Sequence, residues 1–156
     1  MIKQCLKGFV LLASLALAGC SEDWGPDQHG AEVTAQQLDG QWLVINYWAE
    51  WCGPCRTEIP ELNALDDAHS DITVLGVNFD GLQGDELKAA ATNLGIDFRV
   101  LSLDPAERLD LPRSAVLPVT YLVDGKGKVR QQLVGEQSAE GLQEQLAQLG
   151  RKSDPR

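Results

Sequence analysis

Cys52 and Cys55 stand two residues apart in Trp51-Cys52-Gly53-Pro54-Cys55, and they are the residues with the clearest chemical use. If the pair opens a helix, the first thiol faces unpaired backbone N–H groups and the positive end of the helix dipole, which favour an anion. A thiolate held there has a lowered pKa and is the nucleophile of disulfide exchange. The second thiol sits one turn further in and can resolve a mixed disulfide. Gly53 permits a tight turn, and Pro54 suits a first helical turn. Arg56 adds a nearby cation, read first as exposed helix charge. Two other uses compete. A structural zinc site normally takes four ligands, and beyond the two thiols the body offers His29 and His69. An inert cross-link over so short a loop constrains the unfolded chain little.

The elements that must position this pair are legible from apolar patterning. Residues 42–48 form a short, nearly continuous apolar run, as in a strand buried on both faces. Residues 52–68 read as a helix with Ile59, Leu62 and Leu65 on one face and a kinking Pro60 inside it. Residues 72–79 read as a second buried strand. Residues 85–94 read as a helix bearing Leu87, Ala90, Ala91 and Leu94, stopped by Gly95. Residues 98–103 suggest a short strand. Residues 119–123 and 129–134 read as strands joined by the hairpin signal Asp124-Gly125-Lys126-Gly127. Ser138 caps a last helix carrying Leu142, Leu146 and Leu149, ended by Gly150. The order predicts an α/β fold with a central mixed β-sheet flanked by helices.

At 156 residues the chain is long enough for one domain with its own core. A hydrophobic share of 44% and a charged share of 23% are those of a globular protein. The net charge is -10, and without Lys3 and Lys7, the only charges in residues 1–19, it is -12. Such a body is repelled by nucleic-acid phosphates and anionic lipid heads. Lys3 and Lys7 precede an apolar run at 8–17, too short for a bilayer span of roughly 20 residues. The run ends in Leu17-Ala18-Gly19-Cys20, which resembles the lipobox of bacterial lipoproteins. That resemblance implies a signal peptide at 1–19 and a lipidated Cys20. Of the four cysteines, Cys5 then leaves with the signal, Cys20 becomes the anchor, and the redox pair remains in an oxidising compartment. Residues 21–30 are polar, turn-rich and without period. With Cys20 they read as a tether (20–30), followed by the domain at 31–152.

The segment Tyr47-Trp48-Ala49-Glu50-Trp51-Cys52-Gly53-Pro54-Cys55 resembles the thioredoxin active site, and Pro60 matches that family's helix proline. The wider pattern is similar to the TlpA-like branch of exported thiol–disulfide oxidoreductases. It includes Leu38-Asp39-Gly40, Asn46, Cys55-Arg56-Thr57-Glu58-Ile59-Pro60-Glu61-Leu62, a helix–strand insert at 82–103, and Leu117-Pro118-Val119-Thr120-Tyr121. The resemblance implies a thioredoxin-like fold with that insert. It implies a cis Pro118 facing the dithiol, with Leu117 and Val119 offering backbone groups to an extended substrate segment. It implies that Glu58 handles protons near the buried thiol and that Trp51 shields the disulfide and contacts partners. It implies no cofactor or metal beyond the Cys52–Cys55 couple, and a membrane electron donor of the DsbD type. The expected function is reduction of disulfides in exported proteins at the periplasmic face of the cell envelope. The thioredoxin-like Gly-Pro dipeptide favours the reducing direction.

Departures narrow this. The buried aspartate of thioredoxin, six residues before the first cysteine, is Asn46 here. Val119 replaces the glutamate usual after the cis-proline of the cytochrome c maturation reductases, and Val116 replaces their glycine. The alternative of a copper-handling metallochaperone of the same fold wants a wider cysteine spacing and a placed histidine. A peroxidase wants a lone cysteine behind Pro-x-x-x-Thr-x-x-Cys, a pattern this sequence lacks.

Overall fold

Strand β1, Trp42–Trp48, is the centre of the molecule. Leu43, Ile45 and Tyr47 point to one apolar layer and Val44 and Trp48 to the other, so alternation along one strand builds two cores. A computed structural model describes residues 23–112 and 114–151. Its further elements are α1 (Ala35–Leu38), α2 (Gly53–Ala68), β2 (Ile72–Asn78), α3 (Gly84–Leu94), β3 (Arg99–Leu101), α4 (Ala106–Leu109), β4 (Val119–Val123), β5 (Val129–Val134) and α5 (Ala139–Gln148). The five strands lie in the order β3-β2-β1-β4-β5. The pairs β1–β2 and β2–β3 are parallel, while β1–β4 and β4–β5 are antiparallel. This is the expected mixed sheet, and α3 with β3 is the expected insert.

Helices α2, α3 and α5 supply Ile59, Leu62, Leu65, Leu87, Ala90, Leu142 and Leu146 to one face. Each fully buried leucine there contributes about 2 kcal/mol of transfer free energy. Gly76 of β2 lets the layers meet, because a Cβ at this site would lie 3.0 Å from both Phe98 Cε2 and Trp48 Nε1. The helix ends follow the sequence signals. Gly95 takes φ +70° at the end of α3, and Ser138 accepts the Gly141 N–H at the start of α5. Asp124 Oδ1 accepts the Lys126 and Lys128 N–H groups and sets the β4–β5 hairpin. The other face is closed by α1, α4 and the chain preceding α1.

That preceding chain is a correction to the expected tether. Residues 24–30 belong to the folded body. Trp24 packs with Leu38 and Leu43 and lies under the Arg108 guanidinium at 5.1 Å. Asp27 bridges Leu101, and the buried Gln28 amide donates to Phe98 O and accepts from Val100 N. A side chain thus satisfies the open edge of β3, which a polar composition does not reveal. The expected signal peptide (1–19) and lipidated Cys20 lie outside the described residues.

At the far end of α5, Arg151 makes a bidentate ion pair with Asp71 at 2.7 and 2.8 Å and donates to His69 Nδ1 at 3.0 Å. His69 is thereby committed to the α2–β2 turn. Among the described residues, no three or more His, Cys, Asp or Glu side chains are grouped to hold a metal ion. No described helix is long and apolar enough to cross a membrane.

Candidate active site

Strand β1 ends at Trp48, and the turn after it delivers Cys52 as the N-cap of α2. The Cys52 N–H closes this turn on Ala49 O at 3.1 Å. Arg56 donates to Glu50 O at 2.8 Å, so the cation braces the turn from the helix surface. Cys52 and Cys55 form a disulfide with S–S 2.05 Å and Cα–Cα 5.3 Å. Cys52 Sγ accepts the Cys55 backbone N–H at 3.2 Å. The same N–H and the N-terminal end of α2 face Cys52 Sγ, a setting that favours an anion. Both cysteines are buried, Cys52 at 4% exposed and Cys55 at 0%, so what exposure the pair has falls on Cys52.

Trp51 stands beside the disulfide and is 66% exposed. Its indole N–H donates to both carboxylate oxygens of Asp80, at 2.9 and 3.2 Å, and its ring meets Phe79 edge-on. Phe79 beside it is apolar as well and 46% exposed.

Glu58 follows Cys55 by one turn on the buried side of α2 and is 0% exposed. Its Oε1 accepts from Asn46 Nδ2 at 2.7 Å and its Oε2 from the Gln137 backbone N–H at 3.0 Å. Burial pushes its pKa up from 4.5 to about 7, opposed by those two hydrogen bonds and assisted by the negative charge of Glu136. A carboxyl poised near neutrality can take up and return a proton under cellular conditions.

The Leu117–Pro118 bond is cis, and Pro118 O accepts from Gly135 N at 2.9 Å. Val119 lies within β4, flanked by Tyr47 of β1 and Val134 of β5. On the other sheet face a cleft of about 220 Å³ is lined by Tyr47, Phe79, Asp104, Pro112, Val119 and Tyr121. Tyr47 donates to Asp104 at 2.5 Å, and Tyr121 donates to Pro112 O.

Sequence reasoning missed Asp80, Thr120 and Gln137 as members of this neighbourhood. Thr120 left a signal, being a lone polar residue in the apolar strand β4, as Asn46 is in β1. Gln137 acts through its backbone, which no side-chain pattern reports.

The family model for AhpC/TSA proteins matches residues 18–132. Over 128 residues the chain is 30% identical to the thiol-disulfide oxidoreductase ResA of Bacillus thuringiensis (strain Al Hakam), covering 79% of this chain and 72% of ResA. The chain belongs to the AhpC/TSA family. Within this family it is similar also to the thiol:disulfide interchange protein HelX of Rhodobacter capsulatus, 33% identical over 110 residues, or 68% of this chain and 61% of HelX. The structure of StoA from Bacillus subtilis matches with a TM-score of 0.62 at 22% identity, over 77% of this chain and 92% of StoA, which supports the thioredoxin-like fold. This AhpC/TSA member is a thiol–disulfide oxidoreductase, with Cys52 and Cys55 at Cys-x-x-Cys spacing and disulfide-bonded. The relatives' names, thiol-disulfide oxidoreductase and thiol:disulfide interchange protein, point to disulfide-exchange partners.

Proposed function

We propose that the chain reduces disulfides in exported proteins, with Cys52 as attacking and Cys55 as resolving thiol. The observation that carries this reading is the pair's placement: Cys52 at the N-terminus of α2, and Cys55 buried one turn from the buried Glu58. The Cys52 thiolate attacks a substrate disulfide, forming a mixed disulfide and releasing one substrate thiolate. Cys55 gives its proton to the Glu58 carboxylate and attacks Cys52 Sγ. The Cys52–Cys55 disulfide forms and the second substrate thiolate leaves. Two electrons from a membrane thiol donor of the DsbD type restore the dithiol.

The substrate segment docks across Trp51, Leu117 and Pro118. Val119 forms a wall of the adjoining cleft, whose size suits one side chain. Exposed Trp51 and Phe79, in edge-on contact, support this, because apolar rings left open beside a reactive sulfur offer a partner a surface to cover. A signal peptide at 1–19 directs export, and lipidated Cys20 anchors the protein at the periplasmic face. The Leu17-Ala18-Gly19-Cys20 motif supports the anchor. Asp23 is the first described residue and Trp24 already packs, so three residues separate Cys20 from the body, a reach of roughly 10 Å.

Two experiments test the proposal. Equilibration with glutathione should give a potential clearly below the roughly -120 mV of DsbA; a value at or above that makes the protein an oxidant. Cys20→Ser should release the protein from membranes with its insulin-reducing activity intact. Normal processing and membrane retention of that variant would remove the anchor from the account.

A further inference from the structure

Asn46 is 0% exposed in the middle of an apolar strand. Its Nδ2 donates to Glu58 Oε1 at 2.7 Å and to Thr120 Oγ1 at 3.1 Å. Its Oδ1 is buried with no hydrogen-bond partner among the described residues. Buried side-chain acceptors are paired in the large majority of cases. An orphaned acceptor on the amide that holds a titratable carboxyl has a use in the carboxyl's other protonation state.

We infer that Asn46 positions the proton on Glu58: its amide donates to the ionised carboxylate, then turns over to accept from the acid through Oδ1. The inference rests on the proton role proposed for Glu58. Glu58 Oε2 already accepts from the Gln137 backbone N–H, a donor that cannot become an acceptor. The proton therefore belongs on Oε1, the oxygen facing Asn46. With Nδ2 in place, the O–H on Oε1 finds no acceptor on Asn46. A half-turn of the Asn46 amide, about a broad and nearly two-fold torsion, brings Oδ1 to Oε1–H. Thr120 is a hydroxyl that serves as donor or acceptor, so it follows by rotating its O–H toward Oδ1. Glu58 and Thr120 are thus hydrogen-bonded in either state, and the unpaired group on Asn46 passes from Oδ1 to Nδ2. In the reaction, Cys55 Sγ–H and the Glu58 carboxylate become a Cys55 thiolate and a Glu58 carboxylic acid, and Asn46 keeps that acid hydrogen-bonded while the thiolate attacks Cys52 Sγ. The titratable groups facing Glu58 are Glu136 from the β5–α5 loop, which favours the acid, and Cys55 of its own helix once reduced. β1 and β4 contribute the uncharged Asn46 and Thr120.

The test is an NMR titration of the isotope-labelled protein from pH 5 to 9, following the Glu58 carboxyl carbon and the Asn46 side-chain amide. Contacts from the Asn46 amide protons to the Glu58 side chain should be present at pH 9. They should vanish at pH 5, with the same midpoint as the carboxyl carbon. Contacts unchanged through the Glu58 midpoint overturn the inference, and this readout needs no variant. Asn46→Leu should then raise the midpoint of Glu58 at least about tenfold in proton affinity and move the pH profile of mixed-disulfide resolution with it. A uniform loss of rate at every pH would mark Asn46 as merely structural. Glu58→Gln separates the two claims. If it resolves mixed disulfides at wild-type rate at all pH values, the proton role of Glu58 fails. If it is slow while the Asn46 contacts stay fixed, the amide exchange fails.

Discussion

Glu58→Gln should change how stability depends on pH, and the size follows from burial. The carboxyl is 0% exposed, and its pKa rises from 4.5 to about 7 on folding. At about 1.4 kcal/mol for each tenfold, that rise corresponds to about 3 kcal/mol. The direction is that of an acid held protonated by the fold. Below pH 4.5 Glu58 is protonated in both folded and unfolded chains and costs nothing. Between 4.5 and about 7 the unfolded chain ionises first, so the folded state binds more protons and stability falls as pH rises. Above 7 both states are ionised and the full cost remains. Glutamine does not titrate, so the variant lacks this slope. Its amide places Nε2 against the Gln137 N–H or the Asn46 donor, a penalty of about 1–3 kcal/mol that does not vary with pH. The assay is urea unfolding of the oxidised protein at pH 4 and pH 8. The stability of the variant relative to wild type should improve by about 3 kcal/mol between the two. Parallel curves, with a change below about 0.5 kcal/mol, would show that burial does not hold Glu58 protonated and would refute the reasoning.

Three further outcomes are expected. In the reduced protein near neutral pH, iodoacetamide should modify Cys52 at least about tenfold faster than Cys55, because the backbone N–H and helix dipole act on Cys52; mass spectrometry of the alkylated peptides reads this. Trp51→Ala should slow insulin reduction about tenfold, the loss of roughly 1.4 kcal/mol of contact. Its effect on stability should stay within about 0.5 kcal/mol, since the ring is 66% exposed. Gly76→Ala should destabilise by about 1–3 kcal/mol in urea unfolding, because the new methyl meets Phe98 Cε2 and Trp48 Nε1 at 3.0 Å and Val100 Cγ2 at 3.1 Å.

What the sequence disclosed was set by how locally each feature is encoded. Strands β1, β4 and β5 fell on their expected residues because continuous or alternating apolar runs bounded by Gly and Asp leave few readings. Cys52 and Cys55 were legible because their spacing is itself the chemistry. Helices α1 and α4 have four residues each, less than the period needed to show an apolar face. The stretch 24–30 looked like a tether because turn residues and polar side chains serve a solvated linker and an edge-capping segment equally well. Its role depends on Gln28 reaching residues 70 and 72 positions away. Asn46 was read as the loss of a titrating aspartate. Its use as the donor to Glu58 depends on a fold that brings residue 120 of β4 and the β5–α5 loop against α2.

The division of labour between the two cysteines is the centre of the account, and trapping tests it most directly. Cys55→Ser and Cys52→Ser variants, each reduced and mixed with an oxidised protein substrate, are quenched with acid and resolved without reductant. Cys55→Ser should accumulate a covalent mixed disulfide through Cys52 that reductant releases, and Cys52→Ser should accumulate none. Mixed disulfides formed through Cys55 in Cys52→Ser, with none in Cys55→Ser, would contradict it.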